Sequence, residues 1–309
     1  MGTEISCAIG LALGTLYFFL AGTPMAFLKG ATLRLNVQDA DAPLAVPQGV
    51  GSDAWDAVVA IPTPPMDVPW WNPAAIVDPD ALLRYTLLEG AGNCAAKCRG
   101  LGWLLGKRSI PFRFVYVMDD PDVRLGDAHT MVETSWTWEG AIVTGILDPL
   151  AAGVPTVDGK PLSLKRLIEG RDGLDVRYVP DRPDIEKANL RSYHVFRAGD
   201  RRRSAFIAVS RGDQVLRHLR LMSAFSKVLP DSFPSRAAGI LMSILVGTYP
   251  SVEVPVGESK NVSALLRTDG WIARSMVWCA RLLILSGALR AVMWGARRVS
   301  RGLARVPAR

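Results

Sequence analysis

The chain has 309 residues, 49% of them apolar and 21% charged, with a formal net charge of +7. That balance excludes wholesale disorder and leaves room for a buried core in one large domain or two small ones. Four scattered cysteines, Cys7, Cys94, Cys98 and Cys279, make no disulfide framework. The charge is unevenly spread: residues 1–150 carry 9 Lys/Arg against 16 Asp/Glu, and residues 151–309 carry 27 against 13. A basic second half suits an anionic membrane, a nucleic acid or an acidic partner.

Residues 5–28 contain no charged side chain. As a helix those residues extend about 36 Å, enough for a hydrocarbon core of roughly 30 Å. No Lys or Arg precedes the run, which is also longer than a signal-peptide core. Residues 1–29 are therefore expected to be an uncleaved transmembrane anchor. Lys29 and Arg34 follow it. By the positive-inside tendency they favour a single-pass protein with its body in the cytoplasm rather than the periplasm. Residues 30–79 read as a proline-rich connector, with eight prolines between positions 43 and 79. Trp70 and Trp71 in this stretch suit packing better than a membrane interface.

The segment 80–149 carries the chemistry. Leu83, Leu87 and Leu88 have helical spacing, and Gly90-Ala91-Gly92 breaks the helix. A second helix starts at Asn93, a favoured N-cap, so Cys94 falls in its first turn. The helix dipole there favours the thiolate, the form of cysteine that attacks. The turn before it offers backbone N–H groups to an oxyanion. A β-rich run, SIPFRFVYVM, comes next. DAHTMVETSWTW and AIVTGILDP then read as two strands joined at Glu139-Gly140. His129 opens the first and Asp148 closes the second, so an antiparallel hairpin brings them together. Cys94, His129 and Asp148 thus form a candidate nucleophile, base and orienting carboxylate.

Gly92-Asn93-Cys94, followed by Ile110-Pro111-Phe112-Arg113, resembles the transglutaminase-like superfamily. That family has a Gly-x-Cys helix followed by a Gly-Ile-Pro-x-Arg turn. His129-Thr130-Met131-Val132-Glu133 resembles its His-Ala-Trp-Val-Glu strand, and Leu147-Asp148-Pro149 its closing Asp-Pro. The match spans about a quarter of the chain. Ser109 stands where the family usually has Gly, and Met131 where it usually has Trp, so the wall beside the nucleophile is expected to differ. The resemblance implies an α+β, papain-like core with the cysteine helix packed on an antiparallel sheet. It also implies thiol chemistry on an amide or ester carbonyl, with no cofactor and no metal. The superfamily holds peptidases, amidases, transamidases and inactive members, so the fold alone does not settle the reaction.

Other residues read more plainly. Cys98 suits the core, and a Cys94/Cys98/His129/Asp148 metal site is a weak alternative. Arg113 suits a structural role. His194 falls in an expected strand paired with SAFIAVS, and His218 in an expected helix at about 214–228; both read as surface or core histidines. Arg201, Arg202 and Arg203 suit a solvated hairpin tip. A further apolar helix is expected at about 236–248. Residues 271–309 carry eight arginines and no acid. Arg290, Arg297, Arg301 and Arg305 share one helical face, which suits a helix lying along anionic lipid, with a second span as the alternative.

The expected organisation is an anchor at 1–29, a connector at 30–79, a catalytic domain at 80–235 and a membrane-associated helical region at 236–309. The expected function is a membrane-anchored cysteine enzyme acting on a peptide-like amide by hydrolysis or acyl transfer. Its expected partners are an amide-bearing protein or peptide substrate and the lipid membrane, without nucleic acid. The rival readings are an inactive membrane scaffold for an envelope or polysaccharide system and, more remotely, a basic nucleic-acid binder.

Overall fold

A computed structural model of the protein describes residues 2–20, 24–45, 53–62, 76–118, 128–170, 174–180 and 206–303. The chain divides into two compact units. One is Thr32–Leu266; the other combines Met1–Ala31 with Arg267–Arg309.

The larger unit is α+β. In chain order it holds β1 (Leu33–Val37), α3 (Asp53–Val59), α4 (Pro79–Leu83) running into a π-turn (Arg84–Leu88), and α5 (Cys94–Lys107). β2 (Phe112–Met118), β3 (Ala128–Trp138), β4 (Ala141–Leu147), β5 (Val154–Val157) and β6 (Lys160–Pro161) follow. The rest is α6 (Leu164–Glu169), β7 (Arg177–Val179), β8 (Phe206–Arg211), α7 (Gly212–Ser226), α8 (Phe233–Val246) and β9 (Val252–Pro255). One mixed sheet has the order β1-β9-β8-β2-β3-β4, parallel at β1-β9 and antiparallel elsewhere. A smaller antiparallel sheet has the order β6-β5-β7.

β2 lies inside the larger sheet and is covered on both faces, which explains why it is apolar at nearly every position, Arg113 excepted. Phe112 and Phe114 join Cys98, Leu101 and Leu105 of α5 and Val132 and Trp136 of β3 in one core. Val115 and Val117 face a second core with Met131, Ile146, Leu162 and Leu164. The β3–β4 turn has Glu139 at φ 50° and Gly140 at φ 81°, the type I′ geometry that suits a two-residue hairpin. Gly100 lets α5 approach the π-turn, because a Cβ there would lie 2.2 Å from Thr86 Oγ1.

Three expectations need correction. The proline-rich segment is not only a connector: Asp53–Val59 is helical, and Ala54, Val58 and Ile61 are buried in the first core. Trp55 stacks edge-on against Trp138, with ring centroids 5.3 Å apart. The folded unit is also longer than 80–235. β1 and β9 pair with each other, more than 200 residues apart, and β9 also meets β8. Region 236–309 is therefore not wholly helical. Finally, Met131 lies in the second core, fully buried, rather than lining a wall beside the nucleophile. Trp70, Trp71, His194, Arg201, Arg202 and Arg203 lie outside the described residues, as does the first strand of the hairpin expected around His194.

The smaller unit is helical. It comprises α1 (Gly2–Leu20), α2 (Pro24–Thr32) as far as Ala31, and most of α9 (Ala264–Leu303). α9 has 40 residues, about 60 Å at the usual helical rise. α1 runs antiparallel to it. Tyr17 donates to Asp269 at 2.6 Å, while at the far end Glu4 pairs with Arg290 and accepts from Ser286. Between them, a Cβ on Gly14 would fall 2.3 Å from the Met276 sulfur, so the small residue lets the helices touch. Ile5, Ile9, Leu13, Leu16 and Phe19 of α1 are exposed, as are Trp271, Trp278, Leu285, Leu289 and Trp294 of α9. Both helices are long and apolar enough to cross a membrane.

Candidate active site

The turn before α5 is built by two glycines in the left-handed region, Gly90 (φ 70°) and Gly92 (φ 95°). At Gly90 a Cβ would also lie 2.3 Å from the Pro62 carbonyl oxygen. Asn93 then caps the helix, its side chain accepting from the Ala96 N–H at 3.0 Å. Cys94 is consequently the first helical residue, where the dipole favours an anion. It is half-buried. Its thiol is hydrogen-bonded to the His129 ring and to the main chain of Thr130.

His129 lies near the start of β3. The β3–β4 register runs as far as Val132 with Leu147, so the start of β3 meets the end of β4, and Asp148 follows directly in a bridge to Gly153. The His129 Nε2 to Asp148 Oδ2 distance is 2.7 Å, with both side chains buried. Nδ1 is the nitrogen left for the thiol. Asp148 is held in turn: its Oδ1 accepts from the Leu150 and Ala151 N–H groups at 3.0 and 3.2 Å. Its Oδ2 also accepts from the Tyr178 hydroxyl at 2.9 Å. The three residues expected from sequence are thus brought into one hydrogen-bonded chain, Cys94–His129–Asp148.

The electrostatics follow from that chain. Burial opposes the Cys94 thiolate, but the hydrogen bond and charge of His129 outweigh it and lower the thiol pKa. Burial likewise opposes the imidazolium, yet Asp148 and Cys94 raise the His129 pKa well above its ordinary value. Burial works against the Asp148 anion too, and His129, Tyr178 and the Ala151 N–H still lower its pKa. The directions agree on a thiolate–imidazolium pair braced by a carboxylate.

The remaining sequence candidates separate from this chain. Cys98, one turn along α5, is fully buried and donates to the Thr130 carbonyl at 3.1 Å; burial raises its pKa well above the usual thiol value. Arg113 is structural. It pairs with Glu133 (Nε to Oε2, 2.6 Å) and donates to the Ala40 and Ala42 carbonyls. His218 is buried in α7 and bonds Ser243 at 2.8 Å; burial and then Arg99 push its pKa down to about 3. Among the described residues no group of three or more His, Cys, Asp or Glu side chains forms a metal site.

Two neighbours carried no sequence signal. Tyr178 reaches Asp148 from the smaller sheet, and nothing in RYVP marks it. Lys97 lies one turn after Cys94, is fully buried, and its Nζ meets no hydrogen-bond partner among the described residues. Burial lowers its pKa to about 8, against the attraction of Asp148. Comparison of the chain with models of known families, with curated proteins and with solved structures gives no match.

Proposed function

We propose that this protein is a membrane-anchored, transglutaminase-like cysteine enzyme that cleaves or exchanges an amide bond through a thioester. The observation that carries this reading is the chain from the Cys94 thiol at a helix N-terminus, through His129, to a fully satisfied Asp148. In the forward step the Cys94 thiolate adds to the amide carbonyl. The imidazolium of His129 protonates the leaving amine as the C–N bond breaks, and the acyl group stays on sulfur. His129 then takes a proton from water or an acceptor amine, which attacks the thioester and restores the thiol. Asp148 keeps Nε2 protonated throughout and offsets the imidazolium charge. The test is labelling of the intact protein with a peptide-amide electrophile, read by mass spectrometry. Cys94→Ser is expected to abolish the adduct and Cys98→Ser to retain it. Absence of an adduct on wild-type Cys94 would favour the scaffold reading.

The pairing of α1 with α9 supports a two-span topology in place of the single-pass arrangement expected from sequence. If both helices cross, Glu4 and Arg290 lie on one side, and the connecting residues 32–266 lie on the other. The arginines after Trp294 favour the cytoplasmic side. On this reading the catalytic unit faces away from the cytoplasm, towards an envelope substrate.

A further inference from the structure

α8 is amphipathic in the wrong sense for water. Its buried positions are Arg236, Gly239, Ser243 and Ile244. Arg236 donates to the Ile76 carbonyl at 3.1 Å. Ser243 Oγ is hydrogen-bonded to His218 Nδ1 at 2.8 Å and to Thr248 Oγ1 at 2.9 Å. A Cβ on Gly239 would fall 2.7 Å from the Met222 sulfur of α7, so the helices meet closely there. Every exposed position of α8, by contrast, carries an apolar side chain. Phe233, Leu241 and Val246 leave 68%, 49% and 62% of their surfaces uncovered. A helix packed between a core and water shows the opposite arrangement, apolar inward and polar outward.

Four features of the chain point to lipid as the cover. The exposed face offers no charge and no hydrogen-bonding side chain, so it suits hydrocarbon. α8 has 14 residues, about 21 Å, which is short of a hydrocarbon core of roughly 30 Å but suits a helix lying flat in the interface. The larger unit runs directly into α9 at its C-terminal end, and only α2 separates β1 from α1. α1 and α9 are long and apolar enough to cross a membrane. A unit tethered at both ends in this way meets lipid at a high effective concentration. The charges around the face also suit anionic lipid. The acids between residues 212 and 247 are Asp213 and Asp231, one paired with Arg217 and the other accepting from the Val77 N–H. Arg220 and Lys227 of the same stretch are exposed cations.

We propose that the exposed face of α8 is a lipid-docking surface: the helix lies in the interfacial layer with Phe233, Leu241, Met242 and Val246 among the acyl chains, and it holds the larger unit against the bilayer. This rests on the membrane-anchored reading above and adds a third attachment that does not span. The dock reaches the cysteine helix through α7, because a Cβ on Gly106 of α5 would lie 2.1 Å from Leu216 of α7.

The experiment uses the full-length protein in nanodiscs of phosphatidylcholine and phosphatidylglycerol. The photoreactive residue p-benzoylphenylalanine is placed, one site at a time, at Leu241, at Leu285 of α9, and at Ile142, an exposed apolar residue of β4. After irradiation, intact-mass spectrometry is expected to show lipid adducts at positions 241 and 285 and none above background at 142. In parallel, the unsubstituted protein is irradiated in nanodiscs containing a lipid with a diazirine in its acyl chain, and adducts are expected on peptides covering residues 228–246. Adducts at 285 but not at 241 would overturn the dock and leave the membrane-anchored reading standing. Adducts at 241 alone would uphold the dock and overturn a spanning α9. Equal adducts at 241 and 142 would overturn the dock. So would cross-linking of position 241, in native membranes, to another protein or to a second copy of this chain in place of lipid.

Discussion

At the scale of single residues, the site holds a charge whose burial works against folding. Lys97 is fully buried without a hydrogen-bond partner among the described residues, and burial lowers its pKa to about 8 from an ordinary 10.5. Between those two values the unfolded chain binds more protons than the folded one, so this residue makes stability rise with pH across that window. Below pH 8 the full penalty applies, about 3 kcal/mol by linkage. Lys97→Met keeps the aliphatic stem and removes the ammonium. It is expected to stabilise the protein by about 1–3 kcal/mol at pH 7, and the gain should shrink between pH 8 and 10.5. Denaturant unfolding across that range checks it; a destabilised variant, or a gain that does not shrink, contradicts the account. Ser109 shows a smaller local conflict: it adopts φ 56°, the left-handed geometry that glycine occupies without strain.

At the scale of elements, the residues legible from sequence are those whose partners lie close in the chain. The α5 N-terminus was marked by Gly92 and Asn93, and the β3–β4 hairpin by Glu139-Gly140, so Cys94, His129 and Asp148 could be assigned together. Partners far apart in sequence left no such trace. β9 is four residues long and joins β1 across more than 200 residues, and α3 hides among prolines whose usual reading is an extended chain. Glu133 belongs to both kinds. Its place in the strand motif was visible, but not its task, which is to tie three elements. It faces Arg113 across β2 and β3, and its Oε1 accepts from the Leu164 N–H at 2.7 Å at the start of α6. Arg113 in turn holds the carbonyls of Ala40 and Ala42 after β1. Both side chains are almost completely buried. Glu133→Gln is therefore expected to cost about 3–5 kcal/mol, because Arg113 stays buried without its counter-charge. Replacing both with apolar residues (Arg113→Met with Glu133→Leu) should cost less than the single change, as measured by denaturant unfolding. A single variant as stable as wild type would show that the pair does not hold β2, β3 and α6 together.

At the scale of the whole molecule, the topology turns on whether α9 spans. Trp271 and Trp294 are 23 positions apart, about 35 Å along a helix, which suits two interfacial belts around a hydrocarbon core. Against this stands Arg281 near the middle, at about 2.5–3.5 kcal/mol on insertion scales. The exposed Leu282, Ile284, Leu285 and Leu289 each contribute roughly 0.3–0.6 kcal/mol in the other direction. Arg281 also lies over the Trp278 ring, 5.4 Å from its centroid, where the π face shares the charge. At the end of the pair, Glu4 and Arg290 neutralise each other. α1 cannot cross alone if its contacts with α9 persist. Cys7 and Cys279 report on them directly, since the two thiols lie near enough to act on each other electrostatically. Mild oxidation of the full-length protein in native membranes is expected to link the peptides bearing Cys7 and Cys279, and Cys7→Ser to remove that link. An epitope inserted at Asp158-Gly159, the exposed tip between β5 and β6, is then expected to be reached by antibody from outside spheroplasts without permeabilisation. Absence of the cross-link with an epitope reached only after permeabilisation would return the protein to a single span with residues 32–266 in the cytoplasm. The cross-link together with a hidden epitope would keep the helix pair and invert it, setting the arginine-rich tail against the usual charge rule.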